Sequence, residues 1–214
     1  MELLGNVFDA NPYTLTGDLK VAIDGILLLR VHSEAAAKTY RIEITDESGE
    51  SSSVDIDILA GTILTELQGV LFNVGGGQGT GGLDLDEGNS TNSDDPTAEI
   101  RDLGIDIDLP ADQNWLQRIA GVNGFTIKYL FPGMNGLPEG FTFEGISFQE
   151  QIPSLWDLGT NFGVEENGEP VSWELEEGES LIVSDGSKYY VFIVREINVR
   201  AMDNSDNYVL DIKY

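Results

Sequence analysis

Cysteine is absent from the 214 residues and histidine occurs once. Without thiols there is no disulfide, no thiolate metal site and no cysteine nucleophile, which excludes a stapled scaffold and a thiol redox enzyme together. His32 closes the apolar run Leu27-Leu28-Leu29-Arg30-Val31. A lone histidine cannot build an ordinary structural zinc site, and no G-x-S-x-G elbow offers it a serine, so it reads as a strand-end residue without a chemical role. Positive charge is scarce as well. The eleven Lys and Arg are scattered along the chain, whereas gripping phosphates requires them in clusters, so direct nucleic-acid binding is not expected. Long apolar runs are missing too. The most apolar stretch, Val21 to Val31, is broken by Asp24 and Arg30, so no membrane insertion is expected. The start, Met1-Glu2-Leu3-Leu4-Gly5, lacks the basic residues of a signal peptide.

What is abundant is acid. Thirty-eight Asp and Glu against the eleven bases leave a net charge of −27. The hydrophobic fraction is nevertheless 41%, an ordinary value, so this is not the composition of a disordered chain. A chain of this length buries roughly 70% of its unfolded surface on folding. The Debye length is about 10 Å at 0.1 M salt and about 3 Å at 1 M, so the self-repulsion of such a surface is largely screened in concentrated salt. The charge therefore suggests a salty medium. Two other readings remain, a chain that binds many divalent cations and an acidic surface kept for solubility.

Alternation at period two predicts strands at Tyr40–Ile44, Val54–Ile58 and Ile105–Leu109, each with one wet and one buried face. It continues through Phe125, Ile127, Tyr129 and Phe131. It returns in Phe141, Phe143, Ile146 and Phe148 if Gly145 marks a bulge. Between these lies the turn-rich stretch Pro132–Gly140. Val171, Trp173 and Leu175 predict another strand. Leu181–Val183 and Lys188–Val194 form a hairpin about Asp185-Gly186, and a last pair runs over Ile197–Arg200 and Tyr208–Ile212. Helix signals are confined to Ile63–Phe72 and Asp112–Ile119. The fold class is therefore all-β, an antiparallel β-sandwich or single jelly roll with long Gly/Asp-rich loops and one or two short helices. One domain is expected over 1-214, with a long exposed loop at 75-97.

Chemical motifs are weak. Gly77-Gln78-Gly79-Thr80-Gly81-Gly82 satisfies G-x-G-x-x-G, but Leu83-Asp84-Leu85-Asp86-Glu87-Gly88 follows where a helix should receive the pyrophosphate. Calcium is the more serious candidate, because Asp84–Asn89 and Asp203–Asn207 crowd hard oxygens into loops. Neither completes an EF-hand loop, and solvated turn residues are the preferred reading. Asp55/Asp57 and Asp106/Asp108 are expected on solvent-facing strands, since nothing distinguishes an acid from a nucleophile within either pair. Asn89-Ser90-Thr91 fits a glycosylation acceptor by chance. The aromatics Phe141, Phe143, Phe148, Trp156, Phe162, Trp173, Tyr189, Tyr190 and Phe192 divide between core and a possible sugar-binding or subunit surface. No catalytic, cofactor-binding or metal-ligating residue is assigned, and no enzyme activity is expected.

With its strand-dense pattern and carboxylate-loaded loops, such as Leu83-Asp84-Leu85-Asp86-Glu87 and Ser93-Asp94-Asp95-Pro96, the chain resembles, at the level of class, the single jelly-roll major capsid proteins of icosahedral, internal-membrane viruses of halophiles. No signature motif is matched. The resemblance implies a virion location and a β-barrel standing on a capsid lattice, packed beside copies of itself or a sister capsid protein. Tail-tube, decoration and spike proteins share these features. The alternative is an extracellular β-sandwich binding module, with aromatics stacking on carbohydrate and loop carboxylates holding calcium.

Overall fold

A computed structural model describes residues 2–6, 27–30, 37–45, 48–58, 61–73, 81–200 and 205–214. The chain divides into two compact units, residues 1–61 and 62–214. His32, residues 21–26 and 31 of the Val21–Val31 stretch, and Gly77–Thr80 lie outside the described residues.

In the first unit, β1 (Glu2–Asn6) pairs antiparallel with β2 (Leu27–Arg30), and β3 (Lys38–Thr45) with β4 (Ser51–Ile58). The register sets Tyr40 opposite Ile56, Arg41 opposite Asp55 and Ile42 opposite Val54. The alternation that predicted these strands thus places acids across from polar partners. Arg41 grips Asp55 with Nε at 2.7 Å and Nη2 at 2.9 Å, and the Thr39 hydroxyl donates to Asp57 at 2.6 Å. Asp55 and Asp57 are exposed, as expected of a solvent face.

The second unit is an antiparallel β-sandwich. Its strands are β5 (Glu66–Asn73), β6 (Gly82–Asp84), β7 (Asn89–Thr91), β8 (Ile100–Asp102), β9 (Ile119–Gly121), β10 (Thr126–Tyr129), β11 (Thr160–Asn161), β12 (Val164–Glu166), β13 (Glu169–Val171), β14 (Ser180–Ser184), β15 (Tyr189–Asn198) and β16 (Asn207–Lys213). Six of them form one sheet in the order β11-β10-β14-β15-β16-β5, and four form a second in the order β7-β6-β8-β9. Leu83, Ile100 and Ile119 from the smaller sheet meet Phe72, Tyr129, Leu181, Val183, Tyr190, Phe192 and Tyr208 from the larger one in a single core. The opposite face of the larger sheet carries Ile182, Val191 and Ile193. These pack under α1 (Gln151–Leu158) and the 3-10 turn Phe143–Gly145, through Ile152, Phe143 and Ile146. A strand covered on both faces has no polar side to show. That accounts for the unbroken apolar runs Leu181–Val183 and Tyr190–Val194, all buried.

Five expectations about single elements are corrected. Of Val171, Trp173 and Leu175 only Val171 lies in a strand, at the end of β13. Ile63–Phe72 is not helical; most of it is β5, whose Val70, Leu71 and Phe72 pair with Leu210, Val209 and Tyr208, so strand pairing overrides a helix-like spacing. Gly69, at φ +65°, makes the bulge there and donates its N–H to Asp211 Oδ1 at 2.9 Å. Ile105–Leu109 is not a strand either. Only Ile105 bridges, to Trp115, and Asp106 Oδ1 accepts from the Asp108 N–H at 2.9 Å in an Asx turn that leaves Ile107 87% exposed. Phe141–Phe148 holds the 3-10 turn Phe143–Gly145, capped by Thr142, rather than a bulged strand, so Phe143 and Ile146 are buried at a three-residue spacing. Asp112–Ile119 holds no helix; Gln117 sits at φ 53° and Ile119 opens β9.

Within 75–97, residues 75–80 lie outside the described chain, and the remainder differs in part from the exposed loop expected. Gly82–Thr91 is the β6–β7 hairpin, with Leu83 and Leu85 fully buried, while residues 92–97 are turns that are mostly exposed, as expected of a loop. The turn at Asp185–Lys188 joins β14 to β15 as expected, held by Asp185 Oδ1, which accepts from the Ser187 and Lys188 amides at 2.7 and 2.8 Å.

Candidate functional site

The β6–β7 turn is the place where the chain concentrates acid inside structure. Asp84 Oδ1 accepts from the amides of Asp86 and Glu87 at 3.0 and 3.1 Å, and the Gly88 amide donates to the Asp84 carbonyl at 2.9 Å. Gly88 takes φ +68°, and a Cβ there would stand 3.1 Å from Val70 Cγ2, so glycine is required twice over. Asp84 and Asp86 stay half-buried in this tight turn, while between them Leu85 is fully buried in the core. Its amide is met by Glu99 Oε2 at 2.7 Å, and Glu99 in turn donates its own N–H to the Leu83 carbonyl.

One carboxylate oxygen from each of Asp84, Asp86 and Glu99 lies within 4.8 Å of the others, a span that an ion with oxygen contacts of about 2.3–2.6 Å can bridge. The cluster is partly countered from within the fold. Lys188 Nζ lies 2.5 Å from Asp86 Oδ2, the Tyr190 hydroxyl donates to Asp86 Oδ1 at 2.7 Å, and the Tyr214 hydroxyl donates to the Asp86 carbonyl at 2.6 Å. Burial, with the neighbouring Asp84 and Asp86 charges, pushes the Glu99 carboxyl up to about 7 against the opposing Leu85 amide. Burial also works against Asp86, but the Lys188 and Tyr190 bonds outweigh it and hold that carboxyl below its ordinary value. Burial and the bond to Asp86 keep the Tyr190 phenol protonated far above its usual range. Near neutral pH the cluster therefore has room for one more positive charge, a proton on Glu99 or a cation in its place.

Asp102, at the end of β8, is the second buried acid. It accepts from the Gly104 amide at 2.6 Å and from Trp115 Nε1 at 3.1 Å, and burial pushes its carboxyl up to about 7. Of the other acid-rich loop, Asp203 and Asn204 lie outside the described residues, Asp206 is buried and accepts from the Arg200 amide, and Asn207 opens β16. Asp106 serves its own turn and Asp108 is exposed. Asn89-Ser90-Thr91 is β7, where Ser90 donates to the Leu71 carbonyl at 2.5 Å. Gly82 lies in β6 with Asn92 O 2.4 Å from where a Cβ would be, so this glycine serves strand packing and no helix follows it.

The late aromatics divide unevenly. Phe143, Tyr190 and Phe192 are buried, while Trp173 is 46% exposed and stacks on Tyr129, with ring centroids 5.1 Å apart. Phe131 stacks on the same tyrosine at 5.0 Å. Sequence reasoning picked out Asp84 and Asp86 but not Glu99, Lys188, Tyr190 or Tyr214, which reach the turn from fourteen or more residues away. Only Glu99, an acid set between Ala98 and Ile100, carried a local hint. Comparison with known proteins finds no match: no family model, no curated protein and no solved structure is similar to this chain.

Proposed function

We propose that this chain is a non-enzymatic structural subunit of an assembly that works in concentrated salt. In its specific form it is a major capsid subunit of an icosahedral virion, associating with copies of itself or with a sister capsid protein. The observation that carries the reading is the net charge of −27 on a chain with an ordinary apolar core. Some of that acid holds the chain's own turns, as Asp84, Asp95, Asp106 and Asp185 do. Association is favoured by the exposed turn that carries Ile105, Ile107 and Leu109 together. The test is sedimentation of the purified chain from dilute buffer to multi-molar NaCl, with electron microscopy of the fast fractions. Reversible growth into defined oligomers with rising salt, unaffected by chelator and weakened by Ile107→Asp, is the expected result. A monomer at every salt concentration, alone and with a candidate sister chain, contradicts it.

A second reading, a calcium-dependent carbohydrate-binding module, is favoured by the convergence of Asp84, Asp86 and Glu99 and by exposed Trp173 braced on Tyr129. It predicts stabilisation by calcium and quenching of Trp173 fluorescence by sugar in the monomer.

A further inference from the structure

A recess of about 360 Å³ opens beside the start of β14, in the size range of small-ligand pockets. Its apolar lining comes from Leu130, Phe143 and Ile193, which are buried, and from Phe131 and Phe141, which are half-buried. Glu144, Glu177 and Glu179 line it as well, and no lysine, arginine or histidine does. These acids differ in what they face. Glu144 is met by Arg195, whose Nη2 lies 2.8 Å away and which also pairs with Asp211. Glu177 and Glu179 pair with no lysine or arginine among the described residues. Each accepts one backbone amide instead, Glu177 from Ile197 and Glu179 from Glu176, both at 3.0 Å. The turn that carries them is fixed, with Gly178 at φ +88° and its amide on the Val194 carbonyl at 2.7 Å. Glu179 is half-buried, and burial lifts its carboxyl above the ordinary value against the opposing Glu176 amide. An apolar hollow thus carries acid that no cation of the described chain meets. The same wall shows what could meet it. The Arg195 guanidinium stands over the Phe143 ring, 5.5 Å from its centroid, while bonded to Glu144, so the fold already sets a cation on an aromatic face beside a carboxylate.

We propose that this recess binds a small organic cation, an ammonium head on an apolar body, with the head paired to Glu179 and Glu177 and the body against Phe131 and Phe141. Charge complementarity and the apolar lining ask for both properties in one molecule. A bare metal ion leaves the aromatic walls unused, and a neutral apolar ligand buries Glu179 further without compensating it. A second copy of this chain is the poorer occupant, because it brings the same net charge of −27. The site uses neither the β6–β7 cluster nor the exposed Trp173, so it stands whichever reading of function holds.

The test takes the full chain in about 1 M NaCl, where a Debye length of about 3 Å removes the general pull of the net charge on any cation. Three ligands of similar shape are titrated, phenethylammonium, phenethyl alcohol and phenylacetate, and binding is read from the amide resonances of Gly178 and Ser180. The ammonium compound is expected to shift both and to bind about tenfold more tightly than the alcohol, with phenylacetate the weakest. Glu177→Gln combined with Glu179→Gln keeps an acceptor for each amide and removes both charges. It is expected to bring the ammonium compound down to the level of the alcohol and to leave the alcohol unchanged. Equal binding of ammonium and alcohol to the wild type, no shift with any of the three, or an ammonium preference that survives the double substitution overturns the proposal. So do shifts that centre on Asp84 and Glu99 or on Trp173, which place the ligand at the acidic turn or on the exposed indole.

Discussion

The acids of the β3–β4 hairpin and the acids of the sandwich carry the same charge in opposite circumstances. Asp55 and Asp57 stand in solvent, one of them against Arg41, and the Arg41 bond holds the Asp55 carboxyl below its ordinary value. Glu99 and Asp102 are each 5% exposed, and burial lifts both carboxyls to about 7. A net charge of −27 is therefore two populations. The outer one is coupled to salt and to few particular neighbours, and the inner one is coupled to particular backbone amides and hardly to salt. Composition counts both alike; only the fold separates them.

The sharpest way to break this distinction is at Asp102. Asp102→Ala leaves the Gly104 amide and the Trp115 indole N–H without their acceptor, and is expected to cost about 3 kcal/mol in denaturant unfolding, from two buried donors left unsatisfied. A variant as stable as the wild type would mean that the inner acids are no more committed than the outer ones.

The pH dependence at molar salt separates the populations by sign. Glu99 and Asp102 have folded-state values of about 7 against ordinary values of 4.5 and 3.8. Between those limits the native state holds protons that the unfolded chain has released, so stability falls as pH rises from about 4 to about 7 and levels off above, by on the order of several kcal/mol for the two groups together. The carboxyls held below their ordinary values, such as Asp86 and Glu144, act oppositely and cost stability as pH drops below about 4. Unfolding free energies measured from pH 3 to 8 should show a maximum in the acid range, and Glu99→Gln should flatten the upper slope. A rise toward pH 7 would show the inner acids to be ionised and stabilising.

Tyr190→Phe removes the phenol bond to Asp86 and is expected to cost about 1 kcal/mol, nearly equally in dilute and in molar salt, because the contact is partly buried. At the other end of the scale, Asp55→Asn should leave the melting temperature unchanged in molar salt, since exposed pairs contribute little and salt screens them. A clear loss there would make the hairpin's acid a structural one.

The all-β class and the strands at Tyr40–Ile44, Val54–Ile58, Leu181–Val183 and Lys188–Val194 were legible in the sequence, as was the Thr126–Tyr129 part of Phe125–Phe131, because burying one face at period two, or both faces in a run, leaves a local trace. The turn at Asn167-Gly168, both residues at positive φ between β12 and β13, carried a hairpin signal of the usual Asn-Gly kind that went unread. Alternation misled where Asp106 could bond its own turn, and helical spacing misled at β5, where the partner strand lies some 140 residues away. The same distance hid the candidate site. Asp84 and Asp86 were visible as a pair, but Lys188, Tyr190 and Tyr214 join them only once the two sheets close.

The most direct test of the account is the thermal-unfolding midpoint of the whole chain at pH 7 in NaCl from 0.05 M to multi-molar, with chelator present throughout. If the outer acids are built for a screened medium, the midpoint should climb steeply up to about 1 M, as the Debye length shrinks to about 3 Å, and change little beyond. A midpoint that is flat or falls with salt would contradict the account and leave the charge as a surface kept for solubility.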